Sequence, residues 1–446
     1  MMNKNKDYLI TEKPSRALFA FALPMIIGNL FQQAYTIVDS AIVGHYVGET
    51  ALAAVGASYA LTSIFICVAI GGGIGASVII SQHFGGHAYS RMKTSIRTAM
   101  LSFLLISLLL GGIGLCFSRQ IMEALNTPAD AMDIAVIYLN IYFYGLPFLF
   151  MYNILSSMFN ALGESRIPLY LLIFSSVLNI FLDLYMVATL HLGVAGAAYA
   201  TFIAQGISAV CSFLIFLHTL RRLDGKAETW FSKAEFSSMS RIALPSILQQ
   251  STVSIGMMLV QSVVNGFGTQ ILAGFSAGMR IESLCVVPMA AIGNALSSYT
   301  AQNIGAEKHE RISLGYRTAN IMVAITAVIL CLFLELLHRP LIALFLDGAP
   351  SAQTIATGEG YLRFIGFFFC MIGFKMAVDG ILRGAGAVKV FTIANLVNLG
   401  LRVLIAKLGA PVYGIAMIWY AVPLGWLANF LISYGYYRTG KWKQIK

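Results

Sequence analysis

The sequence has 446 residues, of which 29 are Lys or Arg and 19 are Asp or Glu. Charged residues make up 11% of the chain and hydrophobic residues 58%, whereas about 25% of an average soluble domain is charged. This composition excludes a soluble enzyme, a nucleic-acid-binding protein and a disordered scaffold, and the long apolar runs exclude a porin-type barrel of alternating strands.

Twelve apolar runs are long enough to cross a bilayer as α-helices, because one crossing takes about 20 residues. In chain order, the predicted spans 1 to 12 cover residues 17–43, 51–80, 95–117, 134–160, 167–189, 193–218, 241–266, 271–300, 316–338, 359–382, 388–408 and 412–437. We therefore predict an all-α polytopic membrane protein with 12 transmembrane helices, whose two termini lie on the same side of the membrane.

The basic residues outside the predicted spans fall mainly on one side of the membrane. With both termini inside, only Arg119, Arg339 and Lys407 lie on the opposite side. Because Lys and Arg concentrate on cytoplasmic loops, the formal net charge of +10 indicates an orientation rather than a nucleic-acid partner. The sequence predicts a multi-pass protein of the plasma membrane, the inner membrane in a bacterium, with cytoplasmic N- and C-termini.

The two halves of the sequence resemble each other. Gln82, in the loop after span 2, corresponds to Gln302 after span 8, and Pro24 of span 1 corresponds to Pro245 of span 7. Halves with an even number of spans and equal orientation are parallel repeats. The predicted domains are an N-lobe with spans 1 to 6, a cytoplasmic linker and a C-lobe with spans 7 to 12, at residues 1–217, 218–240 and 241–446.

Paired six-helix repeats are typical of alternating-access transporters. The sequence has no GxxxxGK[ST] phosphate-binding loop, and its His residues form no catalytic or metal-binding pattern. The glycine-rich run Gly71–Gly75 lies within span 2, so we interpret it as a site of close helix packing. We therefore predict transport driven by an ion gradient, with no enzyme activity, no ATP and no cofactor.

Two carboxylates of the N-lobe, Asp39 and Asp183, lie inside predicted spans, and the one Lys or Arg within the predicted spans of that lobe, Arg97, lies at the cytoplasmic end of span 3. Ionisable groups at membrane depth are costly and mark ion or substrate pathways. Polar side chains at helical spacing accompany them on spans 1, 4, 5 and 6: Gln32, Tyr35, Asn153, Ser157, Asn160, Asn179, Thr201, Gln205 and Ser208. These stripes predict a polar cavity within the N-lobe.

The cavity is predicted to hold a cation-coupling site and a substrate pocket. The cation-coupling residues are predicted to be Asp39, Asn179, Asp183 and Thr201. The substrate pocket is predicted at Gln32, Tyr35, Asn153, Ser157 and Gln205. One carboxyl group can hold a proton, because two carboxylates in a low-dielectric cavity repel each other; equally, the oxygen atoms of the coupling residues suit a sodium ion. Pro24 is predicted to let span 1 bend, since proline donates no backbone hydrogen bond.

The C-lobe carries a different set of charges. Lys375 and Asp379 are four residues apart in span 10, which is the spacing of an ion pair within one helix. The repeat aligns Asp183 with Arg402 and Asp39 with Gln261. Because the C-lobe lacks carboxylates at both positions, we predict that cation coupling belongs to the N-lobe.

Taken together, these residues resemble the MATE family, the multidrug and toxic compound extrusion transporters, over essentially the whole chain. The resemblance rests on the following residues: Pro24, Gln32, Tyr35, Asp39, Gln82, Gly85, Asn179, Asp183, Thr201, Gln302 and Gly305. It implies a V-shaped fold of two lobes and proton- or sodium-coupled export of organic cations. Some members also carry an acidic residue on span 7, where this sequence has Gln249 and Gln250.

The predicted function is the export of amphipathic, often cationic drugs by antiport against a cation. The expected partners are small organic cations and membrane lipid, and the protein is expected to be a monomer. The alternative is a lipid-linked oligosaccharide flippase of a related two-lobed family, which would hold a pyrophosphate with basic residues. The C-lobe candidates for that role are Arg280, Arg363, Lys375 and Arg402. Twelve spans and an acidic N-lobe count against the flippase.

Overall fold

The computed structural model describes residues 7–47, 49–125, 127–346 and 351–444, and within these ranges the chain is helical and contains no β-strand. The helices, in chain order, are α1 (Tyr8–Thr11), α2 (Pro14–Val47), α3 (Glu49–Gly85), α4 (Tyr89–Ala124), α5 (Ala129–Ala161), α6 (Arg166–Asp183), α7 (Gly193–Arg221), α8 (Lys233–Val264), α9 (Thr269–Gly305), α10 (His309–Ala343), α11 (Ala352–Gly366), α12 (Phe369–Gly384), α13 (Val388–Tyr413) and α14 (Ala416–Arg438). A π-helical segment, Leu184–Thr189, continues α6.

The predicted number of spans is confirmed. Eleven of the described helices are long and apolar enough to cross a membrane, and α11 and α12, which meet at a bend of 51°, give a twelfth when the pair is counted as one span. Predicted span 10 begins at residue 359, in the middle of α11, because the first turns of that helix are polar. Large apolar side chains on α4 and α10 are exposed, including Leu109 and Leu336 at 64% and 80%, as expected of surfaces that face lipid.

Two compact units make up the chain, and each contains parts of both sequence halves. The first-half unit is Ile27–Ile247, and the second-half unit is Met1–Ile26 with Leu248–Lys446. This division differs from the predicted one, which cut the chain at the linker 218–240. Both boundaries fall two residues after a proline inside a helix, Pro24 in α2 and Pro245 in α8.

The linker belongs to the first-half unit because it is hydrogen-bonded to α4. Lys93 Nζ donates to the carbonyl oxygens of Leu223 at 2.6 Å and Gly225 at 2.8 Å. Further along the linker, the backbone N–H of Ser232 donates to the Thr98 hydroxyl at 3.0 Å. These bonds hold the linker against the first turns of α4, so it is a structured part of this unit.

The start of α8 is held in the same unit by Glu235, a buried carboxylate. Its Oε2 accepts hydrogen bonds from Ser95 Oγ at 2.7 Å and His83 Nε2 at 3.0 Å, and its Oε1 lies 3.6 Å from Arg91 Nη2. A buried carboxylate is stable when it is paired and hydrogen-bonded in this way. Glu235 thereby anchors the first turn of α8 to α3 and α4.

The second-half unit binds the N-terminal segment with residues at equivalent positions of the repeat. Asn303 Nδ2 donates to the Leu9 carbonyl oxygen at 3.1 Å, and Arg311 Nη2 donates to the same oxygen at 3.3 Å. In the repeat, Asn303 corresponds to His83 and Arg311 to Arg91. Each half of the chain therefore uses the loop after its second span to hold the segment that precedes a first span.

Glycine allows two helix pairs to approach closely. In the first-half unit, a Cβ added at Gly75 would lie 2.6 Å from the backbone nitrogen of Ala243, and one at Gly71 would lie 2.5 Å from that of Ile247. The glycine-rich run of α3 therefore packs against α8, which confirms the interpretation as a helix-packing site. In the second-half unit, Gly380 of α12 meets the carbonyl oxygen of Gly293 of α9 in the same way.

Replacing Gly380 with alanine is expected to lower the free energy of unfolding by about 1–3 kcal/mol, the usual cost of overpacking a core. The added methyl group would overlap the Gly293 carbonyl oxygen, which is backbone and cannot rotate away. Unfolding of the purified protein in detergent measures the loss. The matched control is Gly400→Ala in α13, where nothing lies within 4 Å of the added Cβ, so a neutral or slightly stabilising effect is expected. Equal effects of the two substitutions would contradict the prediction.

Candidate functional site

The predicted carboxylates Asp39 and Asp183 meet inside the first-half unit. Asp183 is the last residue of α6 before the π-helical segment and is fully buried, and Asp39 is half-buried on α2. Their carboxyl groups lie close enough to interact with each other electrostatically. Oδ1 of each is buried and has no hydrogen-bond partner among the described residues. Because two bare carboxylates at close range repel, a proton or a metal ion bound between them would stabilise this arrangement.

Asn179, one turn before Asp183 on α6, connects the carboxylates to two other helices. With its amide oriented so that donors face acceptors, Asn179 Nδ2 donates to Asp183 Oδ2 at 2.9 Å and to the Tyr35 hydroxyl. Its Oδ1 then accepts from the backbone N–H of Thr201 at 3.0 Å. The four predicted coupling residues, Asp39, Asn179, Asp183 and Thr201, are thus brought together on α2, α6 and α7.

Two tyrosines join this cluster. Tyr35, predicted for the substrate pocket, bonds to Asn179 and lies close enough to both carboxylates to interact with them electrostatically. Tyr138, on α5, also interacts with Asp39 and Asp183. Tyr138 was not predicted, because one tyrosine in an apolar span does not stand out among the 20 tyrosines of the chain. Its hydroxyl is polar and lies at membrane depth, and that feature could have indicated a polar partner.

The other predicted pocket residues differ in their exposure and contacts. Gln32 is exposed on α2, and Gln205 is half-buried on α7. Asn153 Nδ2 donates to a carbonyl oxygen of its own helix at 2.8 Å. Ser157 Oγ lies 2.5 Å from where a Cβ on Gly73 would be, so it packs against α3. On α5, Ser157 therefore faces the interface with α3, and the Asn153 amide is bonded within its own helix.

A sodium ion is chemically compatible with the cluster. The described residues contain no group of three or more His, Cys, Asp and Glu side chains that could hold a metal ion. A sodium ion at Asp39 and Asp183 would therefore complete its shell with neutral oxygens, which the Asn179 amide and the Thr201 hydroxyl can supply. The two unpartnered carboxylate oxygens fit a cation of either kind.

The repeat-related positions of the second-half unit carry different chemistry. Gln261, at the position of Asp39, donates from Nε2 to Ser276 Oγ at 3.2 Å. Arg402, at the position of Asp183, is buried and interacts electrostatically with Glu282, which accepts a hydrogen bond from the Tyr361 hydroxyl. Because a guanidinium stays charged, this position already contains a permanent positive charge.

The ion pair predicted from spacing on α12 is confirmed. Lys375 Nζ lies 2.9 Å from Asp379 Oδ2, and both side chains are buried. Lys375 also donates to Asn395 Oδ1 at 3.1 Å, and Ser433 Oγ donates to Asp379 Oδ1 at 2.8 Å. The pair is therefore neutral as a unit and hydrogen-bonded to α13 and α14.

A second basic residue of the C-lobe is also paired, since Arg363 Nε lies 3.0 Å from Glu335 Oε2. Of the four basic residues considered for a flippase, Lys375 and Arg363 are thus neutralised by carboxylates. A pyrophosphate would have to displace these carboxylates, which counts against the flippase alternative.

Comparison with known proteins identifies relatives over the whole chain. The profile of the MatE family matches residues 24–185 and 245–408, one segment in each half of the repeat. From Bacillus subtilis, the "Probable multidrug resistance protein YpnP" is 30% identical over 97% of this chain and 96% of its own length, and the "Probable multidrug resistance protein YoeA" is 26% identical over 100% and 99%. The fold matches the outward-facing structure of a multidrug resistance MATE family transporter with a TM-score of 0.88, at 22% identity and full coverage of both chains.

Proposed function

The chain belongs to the MatE family of multidrug efflux transporters, and on that premise we propose that it exports amphipathic organic cations in exchange for a cation bound at Asp39 and Asp183. The observation that carries this proposal is the proximity of the two carboxyl groups, each with one unpartnered oxygen among the described residues. Among the described residues, neither carboxylate forms an ion pair with a basic side chain. The two carboxylates could therefore bind a cation from solution and release it again.

Coupling follows from this position by linkage. If the cation binds more tightly in the state that has released the drug, cation binding shifts the population toward that state, and the drug in turn weakens cation binding. Tyr35 and Asn179 connect Asp183 of α6 to α2. Occupation of the site thus changes the hydrogen bonding of the same α2 helix that carries Asp39 and, further toward its start, Pro24. We propose that α2 carries the response.

The proton and sodium forms of the proposal differ in what neutralises the carboxylates. A shared proton satisfies their contact directly. A sodium ion would separate them and recruit the oxygens of Asn179 and Thr201. A proton and a sodium ion carry the same charge, so the charge moved per exported drug does not distinguish the two forms. The two gradients therefore have to be varied separately.

The test is efflux of a panel of cationic dyes from proteoliposomes of the purified protein, with proton and sodium gradients imposed separately. We expect one of the two gradients to drive dye export against its concentration difference, and the other to have no effect when the first is clamped. Dye movement that is indifferent to both gradients would refute cation antiport. The control is a set of identical vesicles that contain the Asp183→Asn variant.

If the cation site lies at Asp39 and Asp183, Tyr35 should also contribute to transport. Tyr35→Phe removes the hydroxyl that meets Asn179 and leaves the ring. Efflux is expected to fall by about 2- to 13-fold, since one hydrogen bond between two neutral side chains contributes about 0.5–1.5 kcal/mol. Initial rates of dye export measure the effect, and Tyr144→Phe on α5, an exposed tyrosine, is the control. Undiminished export by Tyr35→Phe would place Tyr35 outside the coupling machinery.

A further inference from the structure

A groove with a volume of about 710 Å³ runs along the first-half unit between α4, α5, α7 and the linker. It lies apart from the cation cluster and plays no part in the proposed exchange. Its volume is within the range of about 300–1,000 Å³ that is usual for small-molecule sites. One end of the groove is basic and the rest is apolar, so the groove is complementary to a molecule with an anionic head and an apolar tail.

The basic end is formed by Lys93, Arg97 and Arg221, next to Trp230 of the linker. Lys93 uses two of its three N–H donors on linker carbonyl oxygens, which leaves one free for a ligand. Arg97 lies over the Trp230 ring at 4.7 Å from its centre. Asp224 is near enough to Lys93 to offset one positive charge, so the net charge of this end is positive by about two.

The apolar part of the groove extends from these residues to the depth of about one leaflet. Along α4 the lining runs from Lys93 to Leu104, and along α7 from Arg221 back to Val210. Each stretch advances about 16 Å at the helical rise of 1.5 Å per residue, close to half the hydrocarbon thickness of about 30 Å. Leu104 and Val210 are 38% and 52% exposed, so the groove is open along its apolar length.

Trp230 indicates where the basic end lies relative to the bilayer. Its side chain is 79% exposed, and exposed tryptophans of membrane proteins collect at the boundary between headgroups and acyl chains. The Arg97 and Arg221 guanidinium groups would then lie at the level of lipid phosphates, in the leaflet next to the linker. Basic pockets between transmembrane helices at that level bind anionic lipid headgroups.

We propose that this groove binds an anionic phospholipid, with its phosphate at Arg97 and Arg221 and its acyl chain along α4 and α7. The net positive charge of the basic end favours this lipid over an exported drug, because two net positive charges repel an organic cation. The open apolar wall decides against a water-soluble phosphate compound, which would leave that wall without a partner. The proposed lipid site is independent of the antiport mechanism.

The proposal is tested with the full-length protein in nanodiscs that contain brominated lipids, which quench nearby tryptophans. The Trp230 signal is the difference between the fluorescence of the wild type and that of Trp230→Phe. We expect brominated phosphatidylglycerol to quench this signal at about 30-fold lower mole fraction than brominated phosphatidylcholine. Each net basic charge is expected to raise the affinity for an anionic lipid about fivefold, and the basic end of the groove has about two such charges. Equal quenching by both lipids would mean ordinary annular contact and would overturn the proposal.

The Arg221→Gln variant tests the proposed phosphate contact, because it removes one guanidinium and leaves Arg97 over the Trp230 ring. It is expected to reduce the preference for phosphatidylglycerol about fivefold. The matched control is Arg317→Gln on α10, at the repeat position of Arg97 and also exposed, which should leave the preference unchanged. Displacement of the brominated lipid by millimolar inorganic phosphate, or by a cationic dye that the protein exports, would assign the groove to that ligand and overturn the lipid proposal.

Discussion

Asp183→Asn is expected to reduce gradient-driven export by about 5- to 150-fold, the range that corresponds to loss of a coupling free energy of 1–3 kcal/mol. The substitution keeps the size of the side chain and an acceptor oxygen for Asn179, but it removes a negative charge from the proposed cation site. Asp39→Asn should have a similar effect, because the proposed site uses both carboxyl groups, which interact electrostatically. Initial rates of dye efflux from proteoliposomes measure both losses.

A second measurement separates lost coupling from a damaged protein. Dye binding to the wild type should change with pH or with sodium concentration, whichever ion is coupled, whereas binding to Asp183→Asn should be insensitive to that ion. Asp133→Asn is the matched control, since Asp133 lies on α5 of the same unit with 82% of its side chain exposed. Wild-type export by both Asp39→Asn and Asp183→Asn would refute the proposed cation site.

Lys375→Met is expected to lower the free energy of unfolding by about 3–5 kcal/mol, the cost of leaving one buried charge without its partner. The substitution would remove the ion-pair partner of Asp379, which keeps its hydrogen bond from Ser433 and an electrostatic interaction with Arg383. Replacing both residues, as in Lys375→Met with Asp379→Leu, should recover most of this loss, because apolar side chains of similar volume can replace a buried pair at little cost. Unfolding in detergent, arranged as a double-mutant cycle, measures the effect.

The comparison pair is Arg119 and Asp133, whose side chains are 62% and 82% exposed and whose nitrogen and oxygen atoms lie 3.4 Å apart. Arg119→Gln should cost about 1 kcal/mol or less, as for other solvent-exposed pairs. Efflux per folded molecule is expected to persist in the double variant of Lys375 and Asp379. Loss of efflux in a stable double variant would instead show that the pair takes part in transport.

Several features of this fold were predictable because the physical signal is local in the sequence. The number of spans follows from apolar length, and the pairing of Lys375 with Asp379 follows from helical spacing. The candidate cation site was predictable for a related reason: a carboxylate at membrane depth is costly wherever it lies, so Asp39 and Asp183 stand out before any contact is known. That the repeat carries Arg402 in place of Asp183 is also visible in the sequence.

The composition of each unit was not predictable in the same way. The linker and the start of α8 belong to the first-half unit because Lys93 and Glu235 bond to segments well over a hundred residues away along the chain. Tyr138 joins the carboxylates by a contact of the same long-range kind. The assignment of Tyr35 to a substrate pocket stays a prediction, and its bond to Asn179 now associates it with the cation cluster.

By itself, the sequence determined that this is a helical membrane protein built from two repeats, with two costly carboxylates in one of them. Hydropathy and charge carry that information, because the bilayer acts on each segment separately. The tertiary structure alone decided that the two carboxyl groups come close to each other, that Asn179 links Asp183 to α2 and α7, and that α4, α5 and α7 leave a groove with a basic end. These features depend on which helix faces pack together, and that choice is made by close side-chain contacts rather than by the solvent preference of any one segment.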